Sequence, residues 1–411
     1  MNSSKDARGL LKNISAMSVI HICNYIFPLV LIPYLSRVLG VEMYGVVALG
    51  LGMVQIACII TDYGFNLSAT YTIANAHGDK KKINETISAV FLCKLILLLV
   101  VFCIFVCFLF FDDKHKDFHF FFLLMSLPII GQTFQSAWFF LGIEKLKYIY
   151  IITSLSRAAY LISTIILVKT VDDYLWVAIT NGLSQIFIAS VELFLLLKMG
   201  FGFTYVSQKS LKSVFSDSTP FFWANAASSL YNAGGTVFLG FFSTPYQTGI
   251  YSAAEQLYRG AVALLTPIYQ ALYPYMVRTK NKKLFWNVFK LALCVAFLGV
   301  FLSSFLVDWV INLIFGAEFS DSADVMMVFM AVFLCAVASG LIGYPYLAAM
   351  GDSKSVNMSI LYAGFLQIAL LIFCYFLNIF MALQMVSCVF IVELFILIVR
   401  VLAIKKLNNL H

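Results

Sequence analysis

Seven ionisable residues lie where a chain this apolar should carry none. Of its 411 residues, 62% are hydrophobic and only 11% are charged, yet Asp62, Lys94, Arg157, Glu192, Glu255, Arg259 and Glu393 all fall inside long apolar runs. A charge at the centre of a membrane helix costs about 2.5–3.5 kcal/mol on insertion scales, so such residues face protein or water and mark transport paths by default. Each one permits a particular chemistry. Arg157, between Ser154 and Ser156, cannot shed its proton, and its planar fork suits phosphate or carboxylate. Glu255 and Arg259 are four residues apart and share a helix face. They are either a cavity-lining pair, with Arg259 open to an anionic head group and Glu255 open to a coupling ion, or an internal pair that neutralises both. Lys94 is as deep as Arg157 but can snorkel toward the inner face. Asp62 stands just before Tyr63-Gly64, where a helix irregularity is expected. It is either a coupling site for H+ or Na+, since a desolvated carboxylate can exchange protons, or a carboxylate paired with a Lys, Arg or Asn. Glu192 and Glu393, in the cytoplasmic thirds of their runs, are expected to pair with loop cations.

Uncharged polar residues add to this set. Asn24 and Tyr25 precede Pro28 and Pro33, and Asn225, Ser228, Ser229, Tyr231 and Asn232 precede Gly234-Gly235. Such stripes either pack helices through small residues and hydrogen bonds or line a cavity. On the second reading Asn24 and Asn232 contact substrate, together with Arg157, Arg259 and Lys94.

The elements that must position these residues are membrane helices. In lipid every backbone group has to be satisfied internally, which leaves helices or a closed barrel. The apolar runs are about twenty residues or longer and do not alternate, unlike barrel strands of about ten residues. Twelve runs are expected, at about 14–36, 43–75, 87–111, 118–141, 149–168, 175–197, 217–241, 246–277, 285–307, 322–349, 355–378 and 381–403, each able to cross a hydrocarbon core about 30 Å thick. With the N-terminus inside, 20 of the 27 Lys and Arg fall in cytoplasmic segments, including Lys80–Lys82, the basic group around Lys282–Lys283, and Arg400, Lys405 and Lys406. Only Arg37, Lys114, Lys116 and Lys169 fall outside. This is the positive-inside bias, and it places both termini in the cytoplasm. It also accounts for the net charge of +7 without any nucleic acid.

Several function classes are excluded. No Gly-x-x-x-x-Gly-Lys-Ser/Thr loop is present, no Cys or His spacing suits a metal, and no cofactor is implied. The 9 Cys sit in apolar runs as small apolar residues. The outer loops are too short for a catalytic domain. No cleavable signal peptide is expected before the first run.

The halves look related. Tyr44-Gly45-Val46 aligns with Thr248-Gly249-Ile250 at an offset of 204 (249 − 45). Six runs per half make the repeat parallel, with a substrate site expected between the halves. The expected organisation is an N-terminal six-helix bundle at 1–198, a cytoplasmic linker at 199–216 and a C-terminal bundle at 217–411.

Four motifs narrow this further: Ile32-Pro33-Tyr34-Leu35-Ser36-Arg37-Val38-Leu39-Gly40 with Tyr44-Gly45; Asp62-Tyr63-Gly64-Phe65; Trp138-Phe139-Phe140-Leu141-Gly142-Ile143-Glu144-Lys145; and Gly249-Ile250-Tyr251-Ser252-Ala253-Ala254-Glu255. In order along the chain they resemble the O-antigen flippase family, in the superfamily that includes multidrug and toxic compound extruders. Similar proteins often carry Lys after that last Glu; here Gln256 stands there, and Arg259 is the cation one turn on. The resemblance implies two six-helix bundles working by alternating access in the bacterial inner membrane. The implied cargo is an oligosaccharide on undecaprenyl pyrophosphate, carried without catalysis, with an O-antigen polymerase and a chain-length regulator as partners. Rival readings are a drug or cation extruder of the same fold, a flippase for another wall precursor, and a membrane-embedded polymerase or glycosyltransferase.

Overall fold

The computed structural model describes the backbone of residues 3–409 and the side chains of residues 27, 30–145, 147–223, 225–226 and 234–407. Among the described residues the chain is helical and contains no strand. The helices are α1 (Ser3–Asp62), α2 (Phe65–Ala74), α3 (Lys80–Phe111), α4 (His119–Leu124), α5 (Ser126–Thr133), α6 (Ala137–Gly142), α7 (Leu146–Leu167), α8 (Leu175–Lys198), α9 (Gln208–Phe242), α10 (Pro245–Ala263), α11 (Thr266–Thr279), α12 (Lys282–Ser304), α13 (Val307–Ile314), α14 (Ser322–Leu341), α15 (Ser353–Phe376) and α16 (Ala382–Asn409). A π-helical stretch, Ile342–Ala348, continues α14.

Nine helical segments among the described residues are long and apolar enough to cross a membrane. That is fewer than the twelve expected. The intervals 217–241 and 246–277 are helical, in α9 and in α10 with α11, but lie outside the nine. The interval 14–36 lies mostly outside the described side chains.

Breaks in the helices fall where the sequence is unusual. Gly40 interrupts α1 at φ 69, ψ 174. Tyr63 (φ 45) and Gly64 (φ 80) separate α1 from α2, the irregularity expected after Asp62. A side chain on Gly64 would strike Phe221 Cβ at 2.7 Å and Ser218 O at 2.9 Å, so both its conformation and its surroundings require glycine.

The chain forms two compact units, Met1–Val38 with Met53–Ala226, and Leu39–Gly52 with Ala227–His411. The expected division at 199–216 follows the repeat in sequence, whereas the units follow packing; by packing, the linker and the start of α9 go with the first unit. In the first unit, the core holds Trp138, Phe139 and Phe140, none with any exposed surface, against Phe65, Ile73, Ile87 and Leu196. Thr70 Oγ1 donates to Trp138 O at 3.0 Å and ties α2 to α6. In the second unit, Phe285, Leu341, Tyr346, Leu347 and Val356 form the core. There Gly45 lies against Pro245 and Gly249, and Gly249 against Val41. The glycines aligned by the repeat are points of close approach between these helices, and only small residues permit that approach.

Candidate functional site

In the first unit a set of buried polar groups clusters around Lys94 and the break between α5 and α6. Lys94, on α3, is 3% exposed at its side chain, and its Nζ lies 3.6 Å from Asp62 Oδ1 at the end of α1. This is the paired alternative for Asp62, and it also places Lys94 in an ion pair rather than snorkelled to the surface. Lys94 Nζ donates in addition to Gln135 O at 3.4 Å. Gln135 lies in the break between α5 and α6, where the backbone carbonyls of α5 lack helical partners. Its side chain donates to Gln185 Oε1 at 2.8 Å, and Gln185 Nε2 donates to Asn181 Oδ1 at 3.3 Å, both on α8. One residue further, Ser136 N donates to Glu192 Oε2 at 2.5 Å. Glu192 is 1% exposed, and its Oε1 accepts no hydrogen bond. This corrects the expectation that Glu192 pairs with a loop cation. Its carboxylate is sealed in the unit, bound to the helix break, and feels the charge of Lys94. Thr133 Oγ1 donates to Thr61 Oγ1 at 3.0 Å and joins α5 to α1 beside the pair.

Arg157 is half-buried on α7 and takes part in polar or electrostatic contact. Beside it, Ser184 Oγ donates to Ser156 O at 2.9 Å, linking α7 to α8. The hydroxyls of Ser154 and Ser156 are buried without a hydrogen-bond partner.

In the second unit Arg259 Nη2 donates to Glu255 Oε1 at 3.0 Å, and Thr236 Oγ1 donates to Glu255 Oε2 at 2.7 Å. Glu255 is buried while the Arg259 side chain keeps 31% of its surface. The pair is therefore graded: a sealed acid holding a partly exposed cation. Glu393, on α16, accepts from Ser339 Oγ at 2.5 Å. Arg400, placed among the loop cations by sequence, is 7% exposed. It donates to Ser359 Oγ at 3.0 Å and to Ser339 O at 2.7 Å, where α14 passes into the π-helical stretch. Asn24 and Asn232 lie outside the described side chains.

The units thus repeat one device. Ser136 and Glu192 in the first match Ser339 and Glu393 in the second, at offsets of 203 (339 − 136) and 201 (393 − 192), close to the 204 of the aligned glycines. In each, a buried carboxylate, on α8 in the first and on α16 in the second, binds a serine at or next to a helix irregularity, the α5–α6 break in one and the π-helical stretch after α14 in the other. Gln135, Gln185, Asn181 and Arg400 are absent from the sequence-derived candidates. A helical signal exists for them: Asn181, Gln185 and Glu192 recur at i, i+4 and i+11, and Glu393 and Arg400 at i and i+7, one face in each case.

Comparison with known proteins agrees with this architecture. The chain is 26% identical over 379 residues to a candidate O-antigen transporter of Escherichia coli K12, covering 90% of this chain and 91% of that one. It is 28% identical over 320 residues to a candidate O-antigen transporter of Shigella dysenteriae, covering 76% and 80%. The fold resembles the lipid II flippase MurJ in its inward closed conformation, with a TM-score of 0.76 at 11% identity, covering 94% of this chain and 87% of that one. It also resembles an inward-facing multidrug resistance MATE family transporter of the MOP superfamily, with a TM-score of 0.67 at 13% identity, covering 92% of each. The profile of the polysaccharide biosynthesis protein family matches residues 10–280. The chain belongs to that family, and its apolar helices make it a multi-pass membrane protein.

Proposed function

We propose that this protein moves an O-antigen oligosaccharide linked to undecaprenyl pyrophosphate from the cytoplasmic to the periplasmic leaflet of the bacterial inner membrane by alternating access, with both of its termini cytoplasmic. The observation that carries this reading is the similarity to an O-antigen transporter over nine-tenths of the chain. The physics supports it. Sugars and a pyrophosphate cannot cross hydrocarbon unaided, because each unpaired polar group costs several kcal/mol there, while a polyprenyl tail can stay in lipid throughout. The protein has to shelter only the head group. Arg157 in the first unit and Arg259 in the second are the cations assigned to the pyrophosphate, since a guanidinium keeps its charge when desolvated.

Ion coupling is assigned to the acid cluster of the first unit. Asp62 and Glu192 stand with a single buried ammonium, Lys94. With all three ionised the cluster would carry one excess negative charge in a low-dielectric setting, and a proton or Na+ would balance it.

Deleting the gene should stop surface O-polysaccharide while lipid-linked units accumulate on the cytoplasmic side, and the intact gene should restore it. Units that reach the periplasm but stay unpolymerised would replace this reading with that of a polymerase.

A further inference from the structure

The second unit carries an apolar groove of about 610 Å³, formed by α10, α11, α12, α13 and α14. Its walls include Leu257, Ile268, Val295, Val300, Met330 and Phe333, and Tyr258 and Ser303 are its lining residues with polar side chains. Gly299 lies on it with no atom within 4 Å of where a side chain would begin.

Helix packing in lipid does not by itself produce such an opening, as the repeat shows. The matching groove of the first unit, between α3 and the α4–α5 segment, holds about 160 Å³. Its Leu99, Ser126 and Ile129 correspond at the offset of 204 to Ser303, Met330 and Phe333 of the large one. Where α3 runs unbroken to Phe111, its counterpart stops at Ser304 and resumes at Val307. Of the most apolar stretch of α12 only 6% is buried, against 28% for α3. One half closes this space and the other leaves it open.

The groove has a charged neighbour. Leu257, Ala261, Leu264 and Ile268 lie on one face of the α10–α11 rod and line the groove. Glu255 and Arg259 lie on the opposite face of α10 at 100° per residue, and there Arg259 is partly exposed. An amphiphile with one hydrocarbon chain and an anionic head matches this division: hydrocarbon on one side of α10, a cation on the other. We infer that the groove holds the polyprenyl chain of the cargo while the head group is drawn to the Arg259 side of α10. The small residues Ala261, Ala292, Ala296 and Gly299 on its wall leave recesses for the methyl branches of an isoprenoid. The inference rests on the proposed function and adds where the tail is held.

The test uses the full chain in lipid nanodiscs with a diazirine-bearing polyprenyl pyrophosphate that carries no sugar. Labelling is expected on the peptides of α12 and α14, and excess unmodified polyprenyl pyrophosphate should reduce it about tenfold, the change that 1.4 kcal/mol represents. Gly299→Leu, which starts a side chain into the groove where nothing lies within 4 Å of its Cβ, combined with Ala292→Leu and Ala296→Leu on the same wall, should remove that labelling while the protein elutes as before. Equal labelling and equal competition by a diazirine-bearing phosphatidylethanolamine would make the groove an ordinary lipid contact and overturn the inference, as would undiminished polyprenyl labelling of the triple variant. Either result, in a protein that still restores surface O-polysaccharide to the deletion strain, removes the groove and leaves the transport reading standing. Unchanged O-polysaccharide in the deletion strain removes the transport reading instead.

Discussion

Separating Asp62 from Lys94 distinguishes an ion pair that only stabilises the first unit from one that also couples transport. At 3.6 Å two unit charges attract by about 5 kcal/mol at an effective dielectric constant of about 20. Desolvation offsets most of this, so replacing both partners with apolar groups of similar volume is about neutral, whereas removing one leaves a buried charge at a cost of about 3–5 kcal/mol. The two single losses should differ. Lys94 keeps 3% of its side-chain surface and Asp62 keeps 21%, so water reaches an orphaned Asp62 but not an orphaned Lys94. Asp62→Leu should therefore lie near the upper end, about 5 kcal/mol, and Lys94→Met near the lower end, about 3 kcal/mol. The double variant should lose less than about 2 kcal/mol, where independent effects would sum to about 8 kcal/mol. Reversible unfolding of the purified protein in micelles, followed by tryptophan fluorescence, measures all four corners of the cycle. Additive losses would refute the pairing argument. Transport by the stable double variant in vesicles then decides the second question: restored, ion-dependent export would make the pair purely structural, and export without ion dependence would place coupling in it.

Other outcomes follow from the same geometry. Gly45→Ala and Gly249→Ala push a methyl into the facing backbone and should each cost about 1–3 kcal/mol, seen as reduced folded protein, whereas Gly299→Leu should be tolerated. Arg157→Ala should lower export at unchanged protein level, and so should Arg259→Met combined with Glu255→Gln, which leaves no orphaned acid; full export by both would sink the cationic head-group site. Arg400→Met should destabilise the second unit, because the carbonyl of Ser339 and the hydroxyl of Ser359 lose a buried donor; an unchanged melting temperature would show that α14 holds its break without it. Trp138→Ala should cost about 3–5 kcal/mol as a core truncation, read as loss of membrane-inserted protein.

The family motifs prove to be largely packing devices. Trp138-Phe139-Phe140 fills the first core, Tyr44 meets Phe319 edge-on at 5.7 Å, and Gly45 and Gly249 let helices touch. This explains why they are legible in a sequence: a fully buried ring or a close backbone approach tolerates few residue types. The buried charged residues are less legible because one side chain serves several readings. Glu192 and Arg400 look like residues near a charged loop when counted along the chain, since linear position gives depth but not rotation about the helix axis. Lys94 was open to snorkelling because its stem can reach the inner face, and only the position of Asp62 on another helix decides that it turns inward.

The composition, the length of the apolar runs and the bias of Lys and Arg between loops determine on their own that this is a helical membrane protein, because the free energy of placing a residue in lipid depends first on its own chemistry. The ordered motifs determine its kinship. What only the tertiary structure decided is which buried charges meet. It joined Asp62 to Lys94, and Glu255 to Arg259, and it tied Ser136 to Glu192 and Ser339 to Glu393 at matching breaks. It also left one groove open in the second unit where its counterpart in the first is nearly closed. Such contacts lie between helices far apart in sequence, and they depend on how each helix is rotated against its neighbours, which packing sets and periodicity alone does not.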